Sequence, residues 1–130
     1  MSTLKVNNIS NTGGTKSATT DDIADGRCRA WVNFNGIGTN GTNMTIRASF
    51  NVSSVYKNGA GDFTINFTNA MPDANYCVVT SSASAQAIVK TVDAFGGEGT
   101  DPTTTSVRVF NRSGSNSAQS RAHVYVAIFR

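Results

Sequence analysis

Leucine is nearly missing from this chain: Leu4 is the one instance in 130 residues. Proline occurs twice, histidine once and cysteine twice, and charged residues make up 15% against a usual ~25%. Each shortage excludes something. Coiled coils and helical bundles need Leu, Ala, Glu, Lys and Arg in quantity, so neither fits. The longest apolar run, Val124 to Phe129, is far short of the ~20 residues of a membrane-spanning helix, so no membrane insertion is expected. The first residues, Met1 to Val6, carry no apolar core of a secretory leader, and none is expected. Two cysteines, Cys28 and Cys77, do not make a disulfide scaffold, and both read as buried thiols inside strand-like runs, with a disulfide between them as the alternative. The single histidine, His123, with two distant cysteines gives no zinc spacing.

What fills the space is small and polar: Asn (14), Thr (16), Ser (14) and Gly (12). Aromatic and β-branched residues recur along the whole length, which excludes a disordered tail. The net charge of +3 is spread over eleven Lys and Arg with no basic run. Arg27 and Arg29 share one strand face, as do Arg108 and Arg112. This is no dense basic patch with stacking aromatics, so nucleic acid is not an expected partner, and a mildly basic surface suits anionic polysaccharide at least as well. Six Asn-x-Ser/Thr sequons, at Asn8, Asn40, Asn43, Asn51, Asn66 and Asn111, are the yield of an Asn-, Ser- and Thr-rich chain and read as unused.

The apolar residues repeat with period two, which predicts strands. Residues 3–9 read as a short extended piece and 10–26 as a polar connector, with one helical turn capped by Thr20 and stopped by Gly26. Residues 27–35 form a strand with Cys28, Ala30, Val32 and Phe34 on one face. Residues 36–43 are a glycine-rich loop. Residues 44–56 place Ile46, Ala48, Phe50 and Val52 on one face, with a phase slip near Ser53-Ser54 that predicts a bulge or a break. Asn58 to Asp62 is a hairpin turn, 63–68 a strand, and Met71 to Asn75 a second turn. Further strands are expected over 76–82, which looks buried, over 86–92, and over 103–112 and 121–130, separated by polar loops. The last strand is apolar on both faces, which implies a central strand or a contact between subunits. The fold class is therefore all-β: an antiparallel β-sandwich or jelly roll, residues 27–130, behind an extended N-terminal connector, residues 1–26.

No chemistry of an enzyme is legible. There is no G-x-S-x-G elbow beside His123. Asp21, Asp22 and Asp25 lack the alternate spacing of a calcium loop. Glu98 and Asp101 share one loop, which is not the facing pair of a glycosidase. The Gly96-Gly97-Glu98-Gly99 run opens no helix that would bind phosphate. No catalytic residue, metal or cofactor is expected.

The run Arg29-Ala30-Trp31-Val32-Asn33-Phe34-Asn35-Gly36 resembles a segment of bacteriophage tail fibre proteins, especially those of cyanophages and other marine phages. In that family I-R-A-S-F-N-V-S-S follows, and Ile46 to Ser54 matches it. A glycine hairpin, D-[FY]-T-[IV]-N-F-T and M-P-[DN]-A-N-Y come next, matched by Asp62 to Thr68 and Met71 to Tyr76. The opening Thr3 to Ile9 is similar to the family's lead-in. The likeness covers roughly residues 3–9 and 28–79; residues 37–45 are longer than usual, and the last fifty residues match less well.

The resemblance implies a non-enzymatic virion fibre or tail-tip protein, a homotrimer among other phage tail or capsid proteins, that attaches to a host surface glycan or outer-membrane protein. A head-fibre or capsid decoration protein is the alternative, and assembly would take place in the bacterial host cytoplasm. Receptor contacts are expected in loops 36–43, 93–102 and 111–119, at Asn40, Thr42, Phe95, Glu98, Asp101, Arg112 and Asn116. The contact between subunits is expected at Trp31, Tyr125 and Phe129.

Overall fold

The structure is a computed structural model; it describes residues 2, 5–15, 17–20, 23, 26–83, 89–90, 92–94, 101–112 and 117–130, with backbone alone at 89–90 and 92–94. Its strands are β1 (Asn8–Ser10), β2 (Ser17–Thr19), β3 (Cys28–Phe34), β4 (Thr42–Asn43), β5 (Ile46–Phe50) and β6 (Val52–Gly59). They continue with β7 (Asp62–Phe67), β8 (Cys77–Ala83), β9 (Val89–Lys90), β10 (Val92–Ala94), β11 (Ser106–Asn111) and β12 (His123–Phe129). Two five-stranded sheets form, in the orders β10-β11-β7-β6-β4 and β5-β3-β12-β8-β9. Every ladder within each sheet, among the described residues, is antiparallel. The fold is the expected all-β, sandwich-like arrangement.

Alternation explains the core. Phe63, Ile65 and Phe67 of β7 face inward beside Val55, Val107 and Val109. They meet Ala30, Val32 and Phe34 of β3 and Val124, Val126 and Ile128 of β12 from the second sheet. Phe34 and Phe63 pack edge to face with ring centres 5.0 Å apart, which suits the aromatic quadrupoles and locks the two sheets in register. The terminal strand β12 is central, paired to β3 on one side and β8 on the other, as its two apolar faces require.

The β6–β7 hairpin turns at Ala60-Gly61. Gly61 has φ +63°, and a Cβ there would stand 2.4 Å from the Asn111 carbonyl, so both the backbone angle and the space demand glycine.

Several expectations are corrected. Residues 44–56 do break into two strands, but at Asn51, and Ile46, Ala48, Phe50 and Val52 do not share one face. The ladder between β3 and β5 slips between Asn33 and Phe34, leaving Arg47 as the extra residue. Ile46 stays opposite Phe34 and inward, while Ala48 and Phe50 turn to the outer face. Arg47 itself reaches across to Asn33 Oδ1 (3.3 Å) and the Ala122 carbonyl (2.7 Å). The chain then breaks at Asn51, whose φ of +55° sends β5 and β6 into different sheets. The slip near Ser53-Ser54 is present as a bulge of β6 against β7.

Strand 76–82 is not buried throughout: Cys77 and Val79 are exposed on the outer face. Cys77 is therefore no buried thiol, and Cys28 is half-buried. Both are free and lie on either side of Phe129 in β12, roughly 9–10 Å apart at two strand spacings, too far for a disulfide. Residues 86–92 are two short strands in different sheets, β9 and β10, and Ile88 lies outside the described residues. In the expected extended N-terminal connector, Asn8–Ser10 and Ser17–Thr19 instead pair antiparallel, β1 with β2, with Gly14 N–H bonded to the Asn11 carbonyl between them. Of the turn expected over 20–26, Asp21, Asp22, Ala24 and Asp25 lie outside the described residues.

Asn51 holds the corner between the sheets. Its Nδ2 donates to the carbonyls of Arg29 (3.2 Å) and Asn69 (3.1 Å), and its Oδ1 accepts from the Asn69 amide (2.7 Å). Asparagine tolerates the left-handed region better than most residues, and alanine neither tolerates it nor makes these bonds. Asn51→Ala is expected to cost about 2–3 kcal/mol in stability, read as the shift of the urea midpoint.

Candidate functional site: an apolar sheet face and a cationic end cleft

The two outer faces of the sandwich differ in chemistry. On the β7 sheet the outward residues are Ser54, Tyr56 and Asn58 of β6, Asp62, Thr64 and Asn66 of β7, and Ser106 and Arg108 of β11. They bond to one another. Asn66 Nδ2 donates to Ser54 Oγ (3.0 Å), and Asn58 Nδ2 to Thr64 Oγ1 (2.9 Å) and Asp62 Oδ1 (3.0 Å). Arg108 grips Asp62 with two parallel bonds, Nε to Oδ1 at 2.8 Å and Nη2 to Oδ2. Phe110, on the same face, is covered by the guanidinium groups of Arg108 (5.1 Å from the ring centre) and Arg112 (5.4 Å). This face is wet and internally satisfied.

Burial alone would push the Asp62 carboxyl up. The bonds from Arg108 and Asn58 and the charges of Arg108 and Arg112 outweigh it and hold the carboxyl below its usual value. A carboxyl lowered on folding stabilises the fold above its unfolded pKa of 3.8, and this is lost as pH falls through the lower folded value. The melting temperature of the wild type should therefore fall more steeply below about pH 4 than that of Asp62→Asn. Equal slopes would contradict the assignment.

The outer face of the β12 sheet is the opposite. Phe50, Trp31, Ala127 and Val79 stand opposite one another on β5, β3, β12 and β8 and form one apolar row across four strands. Phe50 is 55% exposed, Val79 54%, Trp31 40% and Tyr125 39%. Beside the row, Trp31, Asn33, Val79, Ser81, Tyr125 and Ala127 line a shallow dish of about 380 Å³. His123 stacks on Tyr125 with ring centres 6.4 Å apart, a packing role on this face. The sequence-predicted contact residues Trp31, Tyr125 and Phe129 thus come together on one face, Phe129 half-buried at its end.

Of the four expected receptor residues that are described, Asn40, Thr42 and Arg112 share one end of the sandwich and Asp101 lies at the other. Asn40 and Thr42 are exposed at the end of the sandwich that carries the β6–β7 turn. Their loop is tied down. The buried Lys57 ammonium donates to the carbonyls of Gly38 (2.8 Å) and Gly36 (3.2 Å), and Thr42 Oγ1 donates to Thr39 O (2.8 Å). Burial lowers the Lys57 pKa. Arg112, half-buried over Phe110, follows β11 at that same end, whereas the exposed Asp101 precedes β11 at the other. Phe95, Glu98 and Asn116 lie outside the described residues.

A second concavity, missed by the sequence reading, opens at the Asn51 corner. It holds about 420 Å³ and is lined among others by Arg27, Arg29, Phe50, Thr68 and Pro72. The pairing of Arg27 with Arg29 was the one legible signal; the other walls come from residues distant in sequence. Among the described residues, no group of three or more His, Cys, Asp or Glu side chains could hold a metal ion. Among them also, no helix is long and apolar enough to cross a membrane. No family model, curated protein or solved structure matches this chain.

Proposed function

We propose that this chain is a non-enzymatic bacteriophage virion protein, of a fibre or tail tip, that assembles as a homotrimer through its apolar sheet face and attaches to the host cell surface. The unequal pair of outer faces carries the reading. A 130-residue domain that leaves Trp31, Val79 and Tyr125 exposed across one sheet, with Phe50 at its edge, while the described side chains exposed on the outer face of the other are polar apart from Tyr56, has one face built to be covered. The segments similar to fibre proteins supply part of that face, Trp31 and Asn33 from one and Ala48 and Phe50 from the next, and β12 adds Tyr125 and Ala127. Three copies packing these faces about a threefold axis bury the middle of each, at Trp31, Ala127 and Tyr125, and leave Phe50 of the edge strand β5 at the open rim.

Attachment is tested on phage and cells. Purified protein should block adsorption of particles that carry it, and antibody against it should label the tail end. Label over the capsid, with particles that become fragile when the protein is missing, would instead establish a decoration protein. Host polysaccharide should stay intact on incubation with the protein; its breakdown would establish an enzyme.

A further inference from the structure

We infer that the cleft at the Asn51 corner is a binding site for an acidic sugar. Its size, about 420 Å³, falls within the ~300–1,000 Å³ of small-ligand clefts. Arg27 is exposed in it and Arg29 half-buried, and among the described residues no carboxylate side chain lines it. The acid closest in the chain to its wall, Asp73, is engaged by Arg130, whose Nε donates to Oδ1 at 2.9 Å. The Arg27 guanidinium thus faces the cleft with no carboxylate side chain among the described lining residues. Guanidinium groups bind carboxylates through paired, charge-assisted bonds.

Beside the arginines stands Phe50, at the margin of the apolar face on the edge strand, more than half exposed. A flat ring next to a cation suits a pyranose, whose C–H face packs on the π surface while its acid group reaches the guanidinium. The exposed Thr68 offers a hydroxyl to the sugar. The frame is stiff. Asn51 and Asn69 are bonded to each other, and Arg29 Nε donates to the Arg130 carbonyl at 2.7 Å. Affinity therefore loses little to ordering. A bare phosphate would leave Phe50 and the Pro72 wall without a role, and a single aromatic with two cations is no nucleic-acid platform.

The biological ligand, an acidic unit of a surface polysaccharide, rests on the attachment reading; the chemistry of the cleft does not. Calorimetric titration of the purified protein in its native oligomeric state tests it, with trigalacturonate, its methyl ester, inorganic phosphate and a short oligothymidylate as probes. Trigalacturonate should bind saturably. Arg27→Gln and Phe50→Ala should each weaken it about tenfold or more with unchanged solution mass. Arg47→Gln removes the same charge at the opposite end and should leave binding unchanged. Equal affinity for the ester, equal displacement by phosphate, tighter binding of the oligothymidylate, or full affinity in both Arg27→Gln and Phe50→Ala would overturn the inference. Blocked adsorption without trigalacturonate binding would also overturn it while leaving attachment standing. Binding without blocked adsorption would support the cleft and remove attachment.

Discussion

Phe63→Ala should lower unfolding stability by about 3–5 kcal/mol, the largest loss expected from any single truncation in the chain. Phe63 is fully buried at the meeting of both sheets. Its ring packs edge to face on Phe34, and the Lys57 ammonium lies 6.0 Å from its centre. Its tip also fills the space beside Gly36, where a Cβ would come within 2.9 Å of it. Truncation removes the transfer energy of the ring and leaves a cavity that a β-sandwich, pinned by ladders on every side, closes poorly. A domain this size has ~5–15 kcal/mol in all, so the variant should sit near its unfolding midpoint in modest urea. Chemical denaturation followed by Trp31 fluorescence reads the loss directly; a change below about 1 kcal/mol would mean that Phe63 is not at the centre of the core.

Trp31→Asp should have a large effect of another kind: loss of assembly with little loss of fold. Trp31 stands in the middle of the apolar row and is partly exposed in the single chain. An aspartate there remains solvated in a lone subunit, where surface changes shift stability by only about 0.5 kcal/mol. In an assembled face the same charge would be buried without a partner, a penalty of several kcal/mol at each copy. The expected result is a subunit with unchanged far-ultraviolet circular dichroism that no longer associates. Tyr125→Asp, on the central strand, should act alike. Variants that unfold, or that keep their assembly, would both speak against the apolar face as the contact.

How much of this was legible can be judged strand by strand. β3 and β7 follow strict alternation, and their inward sets match the core, because both run inside a sheet with one face buried. The Asn-Gly-Ala-Gly-Asp turn was readable because its glycines answer a local backbone demand, at Gly61 above all. The corner at Asn51 was not. A positive φ on asparagine leaves no mark in a chain with fourteen of them, and the bulge at Arg47 reverses the facing of Ala48 and Phe50 without changing the pattern of residue types. Nothing in the sequence marks Lys57 as buried; the carbonyls of Gly36 and Gly38 hold its ammonium inside. The apolar face was half legible: β12 showed two apolar sides, but Val79 and Phe50 looked like core. The cleft was beyond reach, since its walls come from three segments that meet at the corner.

The most direct test of the account is the solution mass of the wild-type protein by light scattering on a size-exclusion column. The account predicts about 41 kDa, three chains of 13.7 kDa, falling to a single chain in Trp31→Asp. A wild-type mass of one chain would contradict it, since the apolar face would then stand uncovered in solution.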